Sequence, residues 1–350
     1  MRYRLLGRTG LYVSELALGT MTFGGGDFWR SIGELNVAAA MPILRDAFDA
    51  GINLIDTADV YAHGRSEEIL GQAIRQLGLP RDELILATKA YERVGPGPNA
   101  GGSTRRHLMW SVDQSLRRLQ VDHIDLFQLH GVDPVTPPEE IVDGLAALVR
   151  SGKVRHIGLC NHPGWQAERL IGIAARTHAP ALAANQVYYS LAGRDAEREV
   201  LPQAEAAGLG ILVWSPLAGG LLSGKFDPLA PETGPADARR TAFDFPPVDR
   251  TRAAAVIAAA RPIAAAHGAS IAQAALAWLL TRPAVTSVII GAKQLPQLGD
   301  NLGAVELARA LTAEDIAALD QASQLPGEYP GWMVSYQAAG RAPGGKRPPA

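Results

Sequence analysis

The chain carries a single cysteine, Cys160, among 350 residues. One thiol cannot close an intramolecular disulfide, and it rules out a zinc site built from several cysteines. That usage fits a reducing compartment, so a cytoplasmic location is expected. Excess charge of one sign is also lacking. The formal net charge is −2, which gives no global basic field of the kind nucleic-acid binders use; any anion site must be local. Long apolar runs are missing as well. AALAWLL is far too short to span a bilayer. The N-terminal MRYRLLGRTGLYVSEL has charges but no long apolar stretch, so no signal peptide is expected. No GxGxxG follows an early strand, which removes the usual dinucleotide fingerprint. GxSxG is absent, which counts against a hydrolase. HExxH and clustered ligand spacings are absent too, so no metal is proposed.

What is present is ordinary globular composition, 47% hydrophobic and 19% charged. Strand-like and helix-like segments alternate. YRLLGRTGLYVS reads as a hairpin around Gly10. Eight strand-like runs follow, at ELALGT, INLIDTA, LILATK, IDLFQLH, HIGLCN, AANQVYY, ILVWSP and SVIIGA. Between them lie helical patterns at Val37 to Ala50, Ser66 to Leu77, Thr104 to Leu119, Pro138 to Ser151, Trp165 to Thr177 and Ala196 to Ala207. A Pro/Gly-rich loop runs from Pro216 to about Arg250, and helical runs start at Thr251 and Ser270. Such alternation predicts a parallel sheet closed into a (β/α)8 TIM barrel, with an N-terminal β-hairpin and an extended C-terminal loop. An open doubly wound sheet is the alternative. The barrel domain is expected over residues 1–325 and a tail over 326–350. In that tail Tyr329 and Trp332 read equally as a lid or as packing, and RAPGGKRPPA is expected to be disordered.

The polar residues fall in register. Strand-like runs end in Asp56, Lys89, His130 and Asn161; one carries Gln186, and another ends in Trp214 and Ser215. One polar strand end is a turn signal. Six in register point instead to the mouth of a barrel, where the loops after the strands converge. Asp56, Tyr61, Lys89 and His130 would meet there. Tyrosine is a poor acid at neutral pH, with a reference pKa of about 10. A nearby ammonium favours the phenolate, and a carboxylate keeps that ammonium charged and aimed. A histidine donates to an oxygen gaining charge. This set makes a proton donor for a carbonyl, and the reducing electrons must come from a cofactor.

At these residues the chain resembles the aldo-keto reductase superfamily. GINLIDTADVYAHGRSEEILGQAI is similar to the family's first signature. LILATK, IDLFQLH, GKVRHIGLCN, NQVYYS, WSPLAGGLL and GAKQLPQLGDNL resemble its later blocks in order. The similarity runs from about Gly7 to about Ala322. It implies Tyr61 as general acid/base, Lys89 and Asp56 tuning it, and His130 orienting the carbonyl. It also implies bound NADPH or NADP+, with NADH as the alternative. Asn161 and Gln186 would meet the nicotinamide carboxamide, and Trp214 would stack near its ring. Ser215, Leu217 and Gly219 would line the pyrophosphate, and Gly19 and Thr20 would lie beside the cofactor. Gly291, Lys293, Gln297, Asp300 and Asn301 would serve the adenosine and the 2′-phosphate, at a helix starting near Pro296. Gln294 stands where many relatives carry arginine, which weakens the preference for NADPH.

The stretch GGGDFWRSIGEL is extra, on the mouth side after the first barrel strand. Phe23, Trp29 and Tyr91 are candidate walls of a substrate pocket, with loop packing as the other reading. Cys160 reads as a buried filler. The expected partner is a small carbonyl or alcohol, with no nucleic acid and no membrane. The alternative function is a nicotinamide-binding regulatory subunit like the potassium-channel β-subunits of this family.

Overall fold

A computed structural model describes residues 1–230 and 239–341. Strands β1 (Tyr3–Leu5) and β2 (Tyr12–Ser14) pair antiparallel as a hairpin. The barrel strands are β3 (Leu16–Gly19), β4 (Leu54–Asp56), β5 (Ile85–Ala90), β6 (Ile124–Leu129), β7 (Val154–Cys160), β8 (Leu182–Tyr188), β9 (Gly210–Trp214) and β10 (Val285–Ile290). They are parallel neighbours in chain order, and β10 closes on β3. The architecture is therefore the (β/α)8 barrel with its N-terminal hairpin, and the open-sheet alternative falls away.

Two apolar layers build it. Alternate strand residues point into the barrel. Ala17, Leu54, Ile85, Ala87, Leu126, Ala184, Leu212 and Ile289 fill that interior, and the hairpin adds Leu6 and Val13. The residues between them face outward, and Leu18, Ile55, Leu86, Phe127, Leu159 and Val213 pack against the helices. The same alternation places the polar side chains. Two residues beyond Leu54 is Asp56, two beyond Ala87 is Lys89, and two beyond Leu126 is Gln128. Gln186 follows Ala184 and Trp214 follows Leu212 in the same way. Each continues an inward face up to the barrel mouth.

Helix starts follow local chemistry. Asn36 caps Val37–Asp49 by accepting from the Ala39 N–H, and Thr104 caps Arg105–Leu119 in the same way. Ser270 and Gln273 form a capping box on Ile271–Leu280. The helix expected from Ala196 is shorter, Val200–Ala207, preceded by a 3-10 turn over Asp195–Glu197. The segment after the barrel carries one short helix, Gly331–Ala339, with no buried residue; Tyr329 and Trp332 are exposed. Most of RAPGGKRPPA lies outside the described residues. Among the described residues no single helix is long and apolar enough to cross a membrane.

Candidate active site at the barrel mouth

The Lys89 ammonium is fully buried at the centre of the mouth. It donates to Asp56 Oδ2 at 2.6 Å, to the Thr57 carbonyl at 2.8 Å and to the Tyr61 hydroxyl at 3.2 Å. Burial pulls the Lys89 pKa down, but the Asp56 carboxylate and the Tyr61 oxygen outweigh it, and the net direction is upward. Lys89 is thus held charged. Asp56 has a second set of donors: Gln186 Nε2 at 2.8 Å and Gln128 Nε2 at 3.4 Å.

Tyr61 sits on a short turn after β4. Ala62 and His63 adopt left-handed φ of 47° and 56°, and Gly64 follows at 88°. Non-glycine residues rarely hold that conformation. Here Ala62 packs with Trp29 and Ile32, which fixes the turn and the phenol on it. The Tyr61 pKa moves opposite to the sequence expectation. Burial raises it, Lys89 lowers it and Asp56 raises it, for a net upward shift. Dehydrating the phenolate outweighs the nearby ammonium, and the amount of burial is a tertiary property. Tyr61 therefore stands at neutral pH as a phenol.

His130 begins the loop after β6, and its ring stands edge-on to Tyr61 at 5.7 Å. Burial and Lys89 push its pKa down to about 3. The imidazole is neutral, and its buried Nδ1 has no hydrogen-bond partner.

Around this centre the structure places the remaining predicted residues. Trp214 Nε1 donates to Asn161 Oδ1 at 2.8 Å, and Asn161 Nδ2 donates to the His130 carbonyl at 3.3 Å. The Trp214 ring stacks on Phe245 at 5.9 Å. After β9 the chain makes an irregular turn with left-handed φ at Ser215, Ala218, Gly219 and Gly220. Ser215 Oγ accepts from the Gly219 N–H at 2.9 Å, and the Gly220 N–H donates to the Leu217 carbonyl. A side chain at Gly220 would meet nothing within 4 Å, so the turn leaves open space beside its backbone. Glycine there lets a ligand approach the backbone closely. The open space beside Gly220 and the nearby Trp214 ring fit a dinucleotide lying across the mouth.

Several assigned side chains are engaged by the protein itself. Gln186 is bonded to Asp56. Thr20 is fully buried, and its hydroxyl meets Ser66 Oγ at 2.8 Å. Gly19 lies against β10; a Cβ there would stand 2.8 Å from Ile289 Cγ2. The helix expected to serve the adenosine is Leu295–Ala310. Gln297 reaches back to accept from the Lys293 N–H at 2.7 Å, and Lys293 Nζ lies 3.5 Å from the Ser31 carbonyl. Asp300 is turned to the neighbouring helix, accepting from Ser270 Oγ at 3.0 Å. Asn301 is buried and donates to the Gly291 carbonyl at 3.2 Å. The side chains of residues 300 and 301 thus turn to different neighbours.

The pocket walls need one correction. Phe23 is 1% exposed and packs in the shell between strands and helices, so it is core and not a wall. Trp29 meets Tyr61 at 5.8 Å between ring centres. Tyr91 lies against Gly131, one residue past His130. Cys160 is buried, and burial pushes its thiol up to about 12, which keeps it protonated. Sequence reasoning missed Phe243 and Phe245, which extend the aromatic wall. Phe28 touches Trp29 at 5.5 Å and Phe243 at 4.9 Å, and Phe243 stacks on Phe245 at 5.3 Å. The only signal was the motif FDF within a Pro/Gly-rich stretch. Gln128 was also missed, although strand alternation from Leu126 pointed to it.

A family model described as "Aldo/keto reductase family" matches residues 15–324. An uncharacterized oxidoreductase of Bacillus subtilis (strain 168) is 40% identical over 88% of this chain and 92% of its own length. A probable voltage-gated potassium channel subunit beta of Oryza sativa subsp. japonica is 36% identical, over 93% of this chain and 97% of its own. L-glyceraldehyde 3-phosphate reductase of Escherichia coli O157:H7 is 33% identical over 96% of both chains.

Proposed function

Because the chain belongs to the aldo/keto reductase family, we propose that this oxidoreductase reduces aldehyde or ketone carbonyls with NADPH, using Tyr61 as proton donor. The observation that carries this is the buried contact of the Lys89 ammonium with both Asp56, at 2.6 Å, and the Tyr61 hydroxyl, at 3.2 Å. Bound cofactor supplies the hydride. The chain's own residues manage the proton. Tyr61 gives its proton to the carbonyl oxygen as charge develops there, and Lys89 stabilises the phenolate left behind. Asp56 keeps Lys89 charged and pointed. Neutral His130 offers a second hydrogen bond to the same oxygen. Trp29, packed on Tyr61, excludes water from the reacting groups. A raised Tyr61 pKa keeps the phenol protonated, which suits a proton donor in reduction. Asn161, Trp214 and the turn Ser215 to Gly220 would hold the nicotinamide and pyrophosphate. Lys293 would meet the 2′-phosphate as a point charge. The relative named for reducing a phosphorylated aldehyde supports the carbonyl reading.

A second reading is a regulatory subunit that senses nicotinamide without turnover. The similarity to proteins named as potassium-channel β-subunits favours it. The purified chain separates the two. Aldehydes, ketones and alcohols are assayed with NADPH, NADH and their oxidised forms, following nicotinamide absorbance. Turnover of carbonyls with NADPH supports the reductase; tight NADPH binding with no turnover across the panel supports the sensor.

A further inference from the structure

Behind the Tyr61 turn lies an ion pair that the proton-transfer set does not use. Glu67, in the first turn of helix Arg65–Leu77, is fully buried, and each of its carboxyl oxygens is engaged. Oε1 accepts from the Thr88 hydroxyl at 2.6 Å, and Oε2 accepts from Arg118 Nε at 2.7 Å. Thr88 precedes Lys89 on β5 and faces the opposite side of the strand. Arg118 comes from the last turn of helix Arg105–Leu119. Its side chain lies against Gly64, the last residue of the Tyr61 turn; a Cβ there would stand 2.9 Å from Arg118 Cδ and Nε. Gly64 also holds a left-handed φ of 88°, which glycine adopts at little cost. The two helices are keyed together at the same end, since a Cβ on Gly71 would strike the Leu119 carbonyl oxygen. The pair therefore joins the strand that carries Lys89 to the turn that carries Tyr61, by a route outside the barrel mouth.

The other ties of this segment run elsewhere. Upstream, the Thr57 N–H donates to the Ala87 carbonyl and the Asp59 N–H to the Lys89 carbonyl. Within the turn the bonds are local, from the Tyr61 N–H to the Ala58 carbonyl and from the His63 N–H to the Val60 carbonyl. Ser66 anchors the start of the helix toward β3 and β4, through Thr20 and Thr57. Beyond Tyr61, the polar anchor toward β5 is Glu67, held by Arg118. A carboxylate taken out of water needs its partners; removing one leaves an uncompensated buried charge, which the chain relieves by moving. A displacement of about 1 Å at reacting groups is enough to lower a rate about 100-fold. We infer that Glu67 and Arg118 are positioning residues for proton transfer: the pair sets the Tyr61 turn against β5 so that the phenol meets Lys89 at 3.2 Å. The inference rests on the reading of Tyr61 as proton donor.

Arg118→Met keeps an apolar stem of similar length and removes the contact with Glu67. Its effect is read as the single-turnover rate of aldehyde reduction at saturating NADPH, so that product release does not mask the chemical step. That rate should fall about 10- to 100-fold, while the NADPH dissociation constant from fluorescence titration and the aldehyde KM stay within about twofold. Arg118→Lys, which can still pair with Glu67, should recover part of the rate. In a Tyr61→Phe background Arg118→Met should cost less than about threefold, because a residue that acts through the phenol loses its effect with the phenol. A natural rate in Arg118→Met, or an equal fall in both backgrounds, overturns the inference. So does a rate that falls together with NADPH affinity, since the whole site would then have loosened. Should Arg118→Met not fold, as judged by circular dichroism, Thr88→Val is read by the same criteria; it is nearly isosteric and cuts the link between Glu67 and β5. If the natural protein turns over no carbonyl with either nicotinamide, the reductase reading fails by itself. Crystal structures of the natural protein and the variant then decide the positioning role. A Lys89 Nζ to Tyr61 hydroxyl separation that opens past hydrogen-bond range in the variant supports it, and an unchanged separation refutes it.

Discussion

Asp59 offers a stability test that does not depend on turnover. Its side chain is 2% exposed, and neither carboxyl oxygen makes a hydrogen bond. Its own N–H donates to the Lys89 carbonyl at 3.1 Å, so it is part of the segment that leads from Asp56 to Tyr61. Burial raises its pKa to about 8 and Glu67 adds to the rise, while the Arg118 charge works against it without reversing it. An unfolded aspartate titrates near 3.9. Between about pH 4 and pH 8 the folded chain therefore keeps a proton that the unfolded chain has released. Folded stability is then fully present below pH 4 and falls as pH rises toward 8. Four pKa units bound the loss at about 5 kcal/mol, and about 3 kcal/mol is a cautious lower figure. For a 350-residue chain this is a difference in Tm of about 4–7 °C. Asp59→Asn removes the titration and keeps nearly the same shape. Its Tm relative to the natural protein, measured by circular dichroism, should climb across pH 5 to pH 8 by roughly that amount. Parallel Tm curves for the two proteins would refute the buried, proton-holding carboxyl.

Four further outcomes are expected. Lys89→Met leaves Asp56 buried beside a missing cation and should cost about 3–5 kcal/mol in chemical denaturation. Asp56→Asn with Lys89→Met should cost less than the two single changes summed, as a double-mutant cycle reads directly. Trp29→Ala should lower kcat/KM for bulky apolar carbonyls by about 10- to 150-fold, with small aldehydes much less affected; equal losses would make Trp29 merely structural. Lys293→Ala should weaken NADPH by about 10- to 150-fold in equilibrium titration while NADH affinity holds; equal weakening would refute the 2′-phosphate contact.

How far the site was legible depended on the kind of signal. On β4 and β5 the inward face of a short apolar run ends in Asp56 and Lys89, and beyond β6 the same count in twos reaches His130, so these three could be placed from the sequence. Phe23 misled because an aromatic after a strand can turn to the core or to the mouth with the same local sequence. Tyr61 does meet Lys89, but its pKa shifts upward against the expectation, because the competing burial is contributed by Trp29 and other residues distant in sequence. Gln297, Asp300 and Asn301 share a face by helical spacing, but Asp300 turns to Ser270 and Asn301 to the Gly291 carbonyl, contacts that local sequence does not show. Phe243 and Phe245 lie at the end of a loop with no hydrophobic period, where only the folded chain shows what they face.

The central claim is that Tyr61 supplies the proton in NADPH-dependent carbonyl reduction. Tyr61→Phe deletes one hydroxyl and leaves the ring against Trp29, so the most direct measurement is its rate of aldehyde-dependent NADPH oxidation beside that of the natural protein. The prediction is a fall in kcat of at least about 10²- to 10⁴-fold with NADPH affinity retained in fluorescence titration. A variant that turns over near the natural rate would contradict it.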